Sequence, residues 1–462
     1  MDKLLSPKDI VHSRLCIGCG SCVVGAGDAA ASMQFDHYGQ LKPGPTGNWY
    51  QFRSVAFTQA CPFSPGAKNE DELADALFPS TRFHDVALGH FQSAYVGHVS
   101  EDDFRDQGSS GGMVTWVATE LFRRGLVDGV AHVVASENPQ ASGRYFHYRI
   151  ARSEAAIRAG AKSRYYPIEL SAVLKQIAAT PGRYAVVGIP CFIKAVQLRR
   201  LQDPVLHDRI LFTLGLFCGH MKSARFIESF AWQMKVAAEQ VSKVEYRQKD
   251  PNRPANMYNA RLQLNNGDSV NRDWWNLADG DWGAGFFMNN ACNFCDDVMA
   301  ETADISFGDA WVEPYASDGR GTNVVVVRSP TIQQIIGEAI TAGLLKLQAV
   351  DAEFVAQTQA AGLRQRREGL AYRLSWNRTG VQPVKRVRPD SKTLAPRRKI
   401  IYRMRYYISA WSHLIFRLAR KIKQPGIYIG WARLVASLYH GLAYHKGKFS
   451  EIKKRFSQLK QV

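Results

Sequence analysis

Long apolar runs are missing from this chain of 462 residues. The longest, such as ILFTLGLFC, reach about ten residues where a spanning helix needs about 20, so no membrane-spanning helix is expected. The start, MDKLLSPKDIVHSRL, lacks an apolar run followed by a small-residue cleavage site, which argues against a signal peptide. There is no internal repeat and no low-complexity tract, so neither a solenoid nor a disordered array is indicated. Acidic residues are nearly absent from one segment. From Ser375 onward there are 21 Lys/Arg but only Asp390 and Glu451, a net of +19. The remainder, with 38 basic and 39 acidic residues, is nearly neutral. The basic character is therefore a property of the tail, and the question of an anionic partner narrows to it.

What the chain does have is eight cysteines in two fours. In a cytoplasmic protein, the expected location here, cysteines stay reduced and more often bind metal than form disulfides. The first four are Cys16, Cys19 and Cys22 in CIGCGSC, then Cys61 before a proline. C-x2-C-x2-C with a remote Cys-Pro is ferredoxin spacing, and four thiolates is the ligand count of a 4Fe–4S cube. Zinc more often takes paired C-x2-C knuckles. Because the Cys-Pro cysteine serves the other cluster in two-cluster ferredoxins, spacing alone leaves open which cluster Cys61 ligates. The second four are Cys191 in GIPC, Cys218 in GLFCGH, and Cys292 and Cys295 in ACNFC. Cys191 follows Pro190 at a helix start, where the local field favours a thiolate. By spacing, these four are equally compatible with buried thiols. His220, two residues after Cys218, is a further candidate ligand.

A third element is DQGSSGGMVTWV, with Ser109, Ser110, Gly111, Gly112 and Met113 opening a helix after a strand-like run. It is neither a Rossmann fingerprint nor a P-loop. Glycines admit close approach of a ligand, and free N–H groups at a helix start bind phosphate. AGAKSRYY places Lys162, Ser163 and Arg164 beside two tyrosines, a composition suited to a stacked, anionic cofactor. ETADISFGDAW puts Asp304, Gly308 and Asp309 at a strand end. Each of these also reads as an ordinary turn or cap.

Strand and helix patterns alternate from Ser93 to Ala352, which indicates an α/β core with mixed α+β character. Asn266-Gly267 between two alternating runs marks a hairpin. The expected organisation is a ferredoxin-like iron–sulfur region over 1–80, an α/β core over 81–352, a linker or peripheral segment over 353–394, and a basic amphipathic helical tail over 395–462. In the tail, Ile400, Met404, Ile408, Trp411, Ile415, Leu418 and Ile422 recur at helical spacing, and Trp431, Leu434, Leu438 and Leu442 repeat the pattern. Such a basic, aromatic helix suits a membrane surface. Packing against the body, or docking to an acidic protein, fits the same pattern; nucleic acid is not the expected partner.

The order CIGCGSC, CP, SSGGMVT, LVDGV, AKSRYY, VVGIPC, GLFCGH, CNFC, ADISFGD resembles the beta subunit of coenzyme F420 hydrogenase/dehydrogenase over about residues 12–350. The family includes plant and cyanobacterial chlorophyll-pathway reductases and bacterial members associated with surface-polysaccharide genes. The resemblance implies an oxidoreductase that carries FAD and two 4Fe–4S clusters. The flavin would lie against Ser109–Met113, Lys162 and Ser163, and Cys191, Cys218, Cys292 and Cys295 would hold the second cluster. On that basis ferredoxin or a similar donor supplies electrons, Lys162 stabilises the reduced flavin, and Asp309 or Glu301 supplies a proton. The substrate would be organic; alternatively the chain is a relay subunit without one of its own. The tail would keep a cytoplasmic enzyme at the inner face of the membrane. The region after 385 has no counterpart in the hydrogenase subunit, and no motif marks a deazaflavin pocket.

Overall fold

The computed structural model describes residues 4–27 and 30–444. The last part of the basic tail, 445–462, lies outside the described residues. The strands that place the site are, in chain order, β1 (Ser93–Val99), β2 (Gly129–Ala135), β3 (Phe146–Ala151), β4 (Tyr184–Gly188), β5 (Ile210–Leu216), β6 (Val241–Gln248), β7 (Asn259–Leu264), β8 (Ser269–Asp273), β9 (Ile305–Asp309), β10 (Asn323–Val327) and β11 (Leu345–Ala349). Eight of them form one mixed sheet in the order β11-β1-β10-β9-β5-β4-β2-β3. The central β9, β5, β4 and β2 are parallel. The outer strands pair antiparallel on both sides. NVVVV of β10 is buried at every position, as a near-continuous apolar run predicts for a strand covered on both faces.

The helices follow their strands as the sequence pattern predicts. α1 (Met113–Arg123) buries Met113, Trp116, Val117 and Leu121 under the sheet. α2 (Pro190–Arg200) begins on Pro190, whose missing N–H is no loss at a first helical position. α3 (Arg225–Gln233) follows β5. The expected hairpin is present as β7 and β8, with Leu262 opposite Val270. Its Gly267 takes a left-handed φ of 91°, which asparagine–glycine turns require. β6 adds a third antiparallel strand to it.

The N-terminal region consists of short helices and a small hairpin, Met33–Phe35 with Leu41–Pro43. Its Leu5, Ile10, Leu15 and Ile17 share one apolar core with Leu170, Val186, Phe192 and Phe294. The segment after β11 folds as short helices, among them α4 (Ala360–Arg366). The tail forms α5 (Pro396–Lys421) and α6 (Pro425–Tyr444). Both pack on the body: Ile401, Ile408, Phe416, Tyr428 and Tyr439 join the core of Phe226, Phe230 and Phe287. The seven-residue apolar face read from the sequence is thereby divided. Ile408 points inward, whereas Ile400, Trp411, Leu418 and Ile422 face solvent.

Candidate redox site

Cys16 and Cys19 lie in a loop shaped by Gly18 (φ 84°) and Gly20 (φ 80°), and Cys22 lies in the short helix Ser21–Val24 that follows. A Cβ on Gly18 would sit 2.4 Å from the Leu41 carbonyl oxygen, and one on Gly20 2.5 Å from Glu169 Oε2. Only glycine satisfies both the conformation and the space. Cys19 O accepts from the Leu170 N–H at 2.8 Å, which ties the loop to the core. Lys42 Nζ donates to the Cys16 carbonyl oxygen. Cys61 follows the helix Val55–Ala60, and its thiol interacts electrostatically with those of Cys16, Cys19 and Cys22. Burial raises the Cys19 thiol, and Cys61 and Cys16 raise it further. Cys22 is raised by burial and then by Cys19, Cys16 and Cys61.

The second four converge from three elements. Cys191 is in the first turn of α2, Cys218 follows β5, and Cys292 and Cys295 lie in and at the end of the turn Asn290–Phe294. All four line one enclosed cavity. Ile17 and Phe63, which neighbour cysteines of the first set, form part of its wall. The Met221 N–H donates to Cys292 Sγ at 3.3 Å, and the Cys295 thiol donates to the Asp297 carbonyl oxygen at 3.4 Å. Burial pushes the Cys295 thiol up to about 11 and Cys61 up to about 12. Thiols so placed hold their protons until a metal displaces them.

Among the described residues no three His, Cys, Asp or Glu groups close around a single ion. A cubane is larger than one ion and spaces its thiolates more widely. Two separate quartets of thiols, one of them lining a single small cavity, fit iron–sulfur cubes by donor chemistry. His220 does not line that cavity. Its ring stacks on Trp282 at 4.3 Å.

The candidate flavin residues are brought together from distant parts of the chain. The Ser163 N–H donates to Ser109 Oγ at 2.8 Å, which joins the two predicted loops. Lys162 has a left-handed φ of 103°, a strained conformation for a residue with a Cβ, and its Nζ pairs with Glu245 at 3.0 Å. Asn323 of β10 accepts from the Met113 N–H at 3.2 Å and donates to the Gly308 carbonyl oxygen at 3.0 Å. It therefore stitches α1 to the strand carrying Asp309. Asp309 is held by Arg247 Nη1 at 2.8 Å. Glu301 lies elsewhere, in a buried ion-pair group around Arg386. Gly111 and Gly112 are crowded by the fold's own atoms: added Cβ atoms would meet Gly97 O at 2.8 Å and Phe104 O at 2.6 Å. Their small size is used for packing.

Buried polar atoms without partners cluster on the neighbouring elements. Arg164 Nε, Tyr246 Oη, Arg247 Nε and the acceptor Gln248 Oε1 have none among the described residues. Unsatisfied buried polar groups are costly, and the three donors among them, with Lys162, suit a polar ligand that carries negative charge. Several contributors were not legible in the sequence. Lys249 Nζ donates to the carbonyl oxygens of Ser110 (3.1 Å), Arg320 (2.7 Å) and Arg105. Burial lowers it to about 7. Arg366 of α4 donates to Cys292 O at 2.6 Å and Gly219 O at 2.7 Å. No motif marks either; both act on backbone carbonyls, for which any long cation in the right place serves.

Comparison with known proteins defines the class. Residues 94–175 match the model for the N-terminal part, and residues 182–353 the C-terminal part, of the coenzyme F420 hydrogenase/dehydrogenase beta subunit. Together these cover more than half of the chain, and the class is that of oxidoreductase and electron-transfer subunits. The chain belongs to the coenzyme F420 hydrogenase/dehydrogenase beta subunit family. Hydrogenase beta subunits of this family carry iron–sulfur clusters and flavin. Cys191, Cys218, Cys292 and Cys295 and the candidate flavin residues fall inside the matched segments; the first cysteine set, Arg366 and the tail fall outside. Among solved structures, a chain of the F420-reducing [NiFe] hydrogenase complex from Methanosarcina barkeri is similar at 16% identity and TM-score 0.48, over 63% of this chain and 95% of that one. No curated protein matches.

Proposed function

We infer that the protein is an iron–sulfur flavoprotein oxidoreductase, with Cys16, Cys19, Cys22 and Cys61 holding one 4Fe–4S cluster and Cys191, Cys218, Cys292 and Cys295 a second. One observation carries the reading. Ring contacts join the flavin loop to the second quartet: Tyr165 meets Trp282 at 4.6 Å, and Trp282 meets His220, two residues from Cys218, at 4.3 Å. Ile17 and Phe63 continue the contact from the second quartet to the first. When bound, the clusters would pass single electrons and FAD would collect two for delivery to an organic substrate. Lys162, Ser163 and the Ser109–Met113 loop would hold and orient the FAD, its isoalloxazine ring and its pyrophosphate. The Arg247–Asp309 pair would fix the polar wall beside them. The donor is ferredoxin or a similar small carrier, and the substrate belongs to surface-polysaccharide assembly.

A second reading, a relay subunit with no substrate of its own, is favoured by the family's description as a beta subunit. Co-purification of a stoichiometric partner distinguishes it. The class itself is tested by anaerobic reconstitution with iron, sulfide and FAD. About eight irons and one flavin per chain are expected; zinc without iron, or no absorbance near about 450 nm, where oxidised flavin absorbs, sinks the reading.

A further inference from the structure

We propose that the outer face of α5 is a docking surface for an anionic lipid bilayer. The inference is independent of the redox reading. Ile400, Tyr407, Trp411, Leu414, Leu418 and Ile422 are each 44–54% exposed. At 3.6 residues per turn they fall within about 40° of one line along the helix. The residues that bury α5 against the body, among them Ile401, Ile408, Ser412 and Phe416, lie on the other side. The helix thus has two apolar faces, and packing accounts for only one.

The charge around the outer face selects the occupant. Residues 395–444 contain ten Lys/Arg and no acid. Arg403, Arg417, Lys421 and Lys423 stand exposed beside or beyond the stripe. Arg420 pairs with Glu228 at 3.0 Å, whereas Lys421 and Lys423 have no ion pair among the described residues. Protein–protein interfaces are depleted in lysine relative to the rest of the surface. A nucleic-acid face would not set an aliphatic line between its cations and the phosphates. Aliphatic and aromatic side chains flanked by Lys/Arg alone match a helix lying in the headgroup region of an anionic leaflet. Among the described residues no helix is long and apolar enough to cross a membrane.

The test uses the full-length, cluster-loaded protein and vesicles of phosphatidylcholine with or without phosphatidylglycerol. Co-sedimentation with the anionic vesicles only, weakened by salt, is expected. Trp411→Glu with Leu418→Glu, and separately Lys421→Glu with Lys423→Glu, should each weaken it at least tenfold while iron content and melting temperature stay as in wild type. Wild-type vesicle binding by the Trp411/Leu418 variant overturns the proposal. So does a wild-type dimer that this variant dissociates without any vesicle binding, or a preference for duplex DNA over anionic vesicles.

Discussion

Arg366 donates at 2.6 Å to the carbonyl oxygen of Cys292, a thiol of the second quartet, and lines the cavity that all four thiols share. The same guanidinium reaches Gly219 O at 2.7 Å and Cys218 O at 3.3 Å. It is 4% exposed. One buried cation therefore fixes two thiol-bearing segments and supplies positive charge beside them. Cluster potentials depend on net charge and hydrogen bonding.

Replacing Arg366 with Gln removes a charge that favours the reduced, more negative cluster, so the midpoint potential of the second cluster should fall. A loss of about 1.4 kcal/mol corresponds to about 59 mV for one electron, and a shift on that order is expected. Arg366→Lys should retain part of it. A redox titration followed by electron paramagnetic resonance reads the effect. An unchanged potential with only a lower melting temperature would reduce Arg366 to a structural strut.

The spacing leaves open which cluster Cys61 serves. Its thiol lies with Cys16, Cys19 and Cys22. Cys61→Ser should lose the first cluster alone, about half of the iron and sulfide, while Cys295→Ser loses the second. Quantifying both and comparing the remaining spectra checks this. A Cys61 variant that keeps the first cluster's signal and loses the second's reverses the assignment.

Residue patterns reveal much of this fold, and the reason is local. Strand–helix alternation, the Asn266-Gly267 turn and the apolar NVVVV strand are each encoded over a few residues, and each forms where expected. The grouping of Ser109 with Ser163 is implied by the family resemblance, and a hydrogen bond joins the two loops. Arg366, Lys249 and Asn323 were not foreseeable. Each acts across long sequence separations on a backbone group, and a backbone carbonyl has no sequence signature. The tail shows a third kind of limit. Periodicity identifies an apolar helix face but cannot tell a face that packs from one that stays exposed, and α5 has both.

Asn323 connects the glycine-rich helix start to the Asp309 strand through both ends of one amide. Asn323→Ala leaves the Met113 N–H and the Gly308 carbonyl without that partner. An unsatisfied buried group costs about 1–3 kcal/mol, so chemical denaturation should show a loss on the order of 2 kcal/mol. If the loop also holds flavin, FAD affinity should drop by tenfold or more, measured by flavin fluorescence quenching. Asn323→Asp keeps the acceptor for Met113 but not the donor for Gly308, and should fall between. Unchanged FAD affinity in the alanine variant would separate the loop from the cofactor.

Lys222 gives a pH dependence whose sign is fixed by burial. Its ammonium lies 4.6 Å from both the Phe226 and Trp282 rings and donates to Phe286 O at 2.7 Å. Burial pushes it down to about 7 from an ordinary value of 10.5. Between those values the unfolded chain binds the proton and the folded protein does not. Stability contributed by this residue therefore rises with pH from about 7 to about 10 and is flat below, with a slope of at most about 1.4 kcal/mol per unit. Lys222→Met removes the titration. The difference in unfolding free energy between wild type and Lys222→Met, measured across that range in matched metal-free protein, should move in favour of wild type as pH rises. A difference that stays constant would mean that the amine keeps its charge among the rings, held there by cation–π attraction.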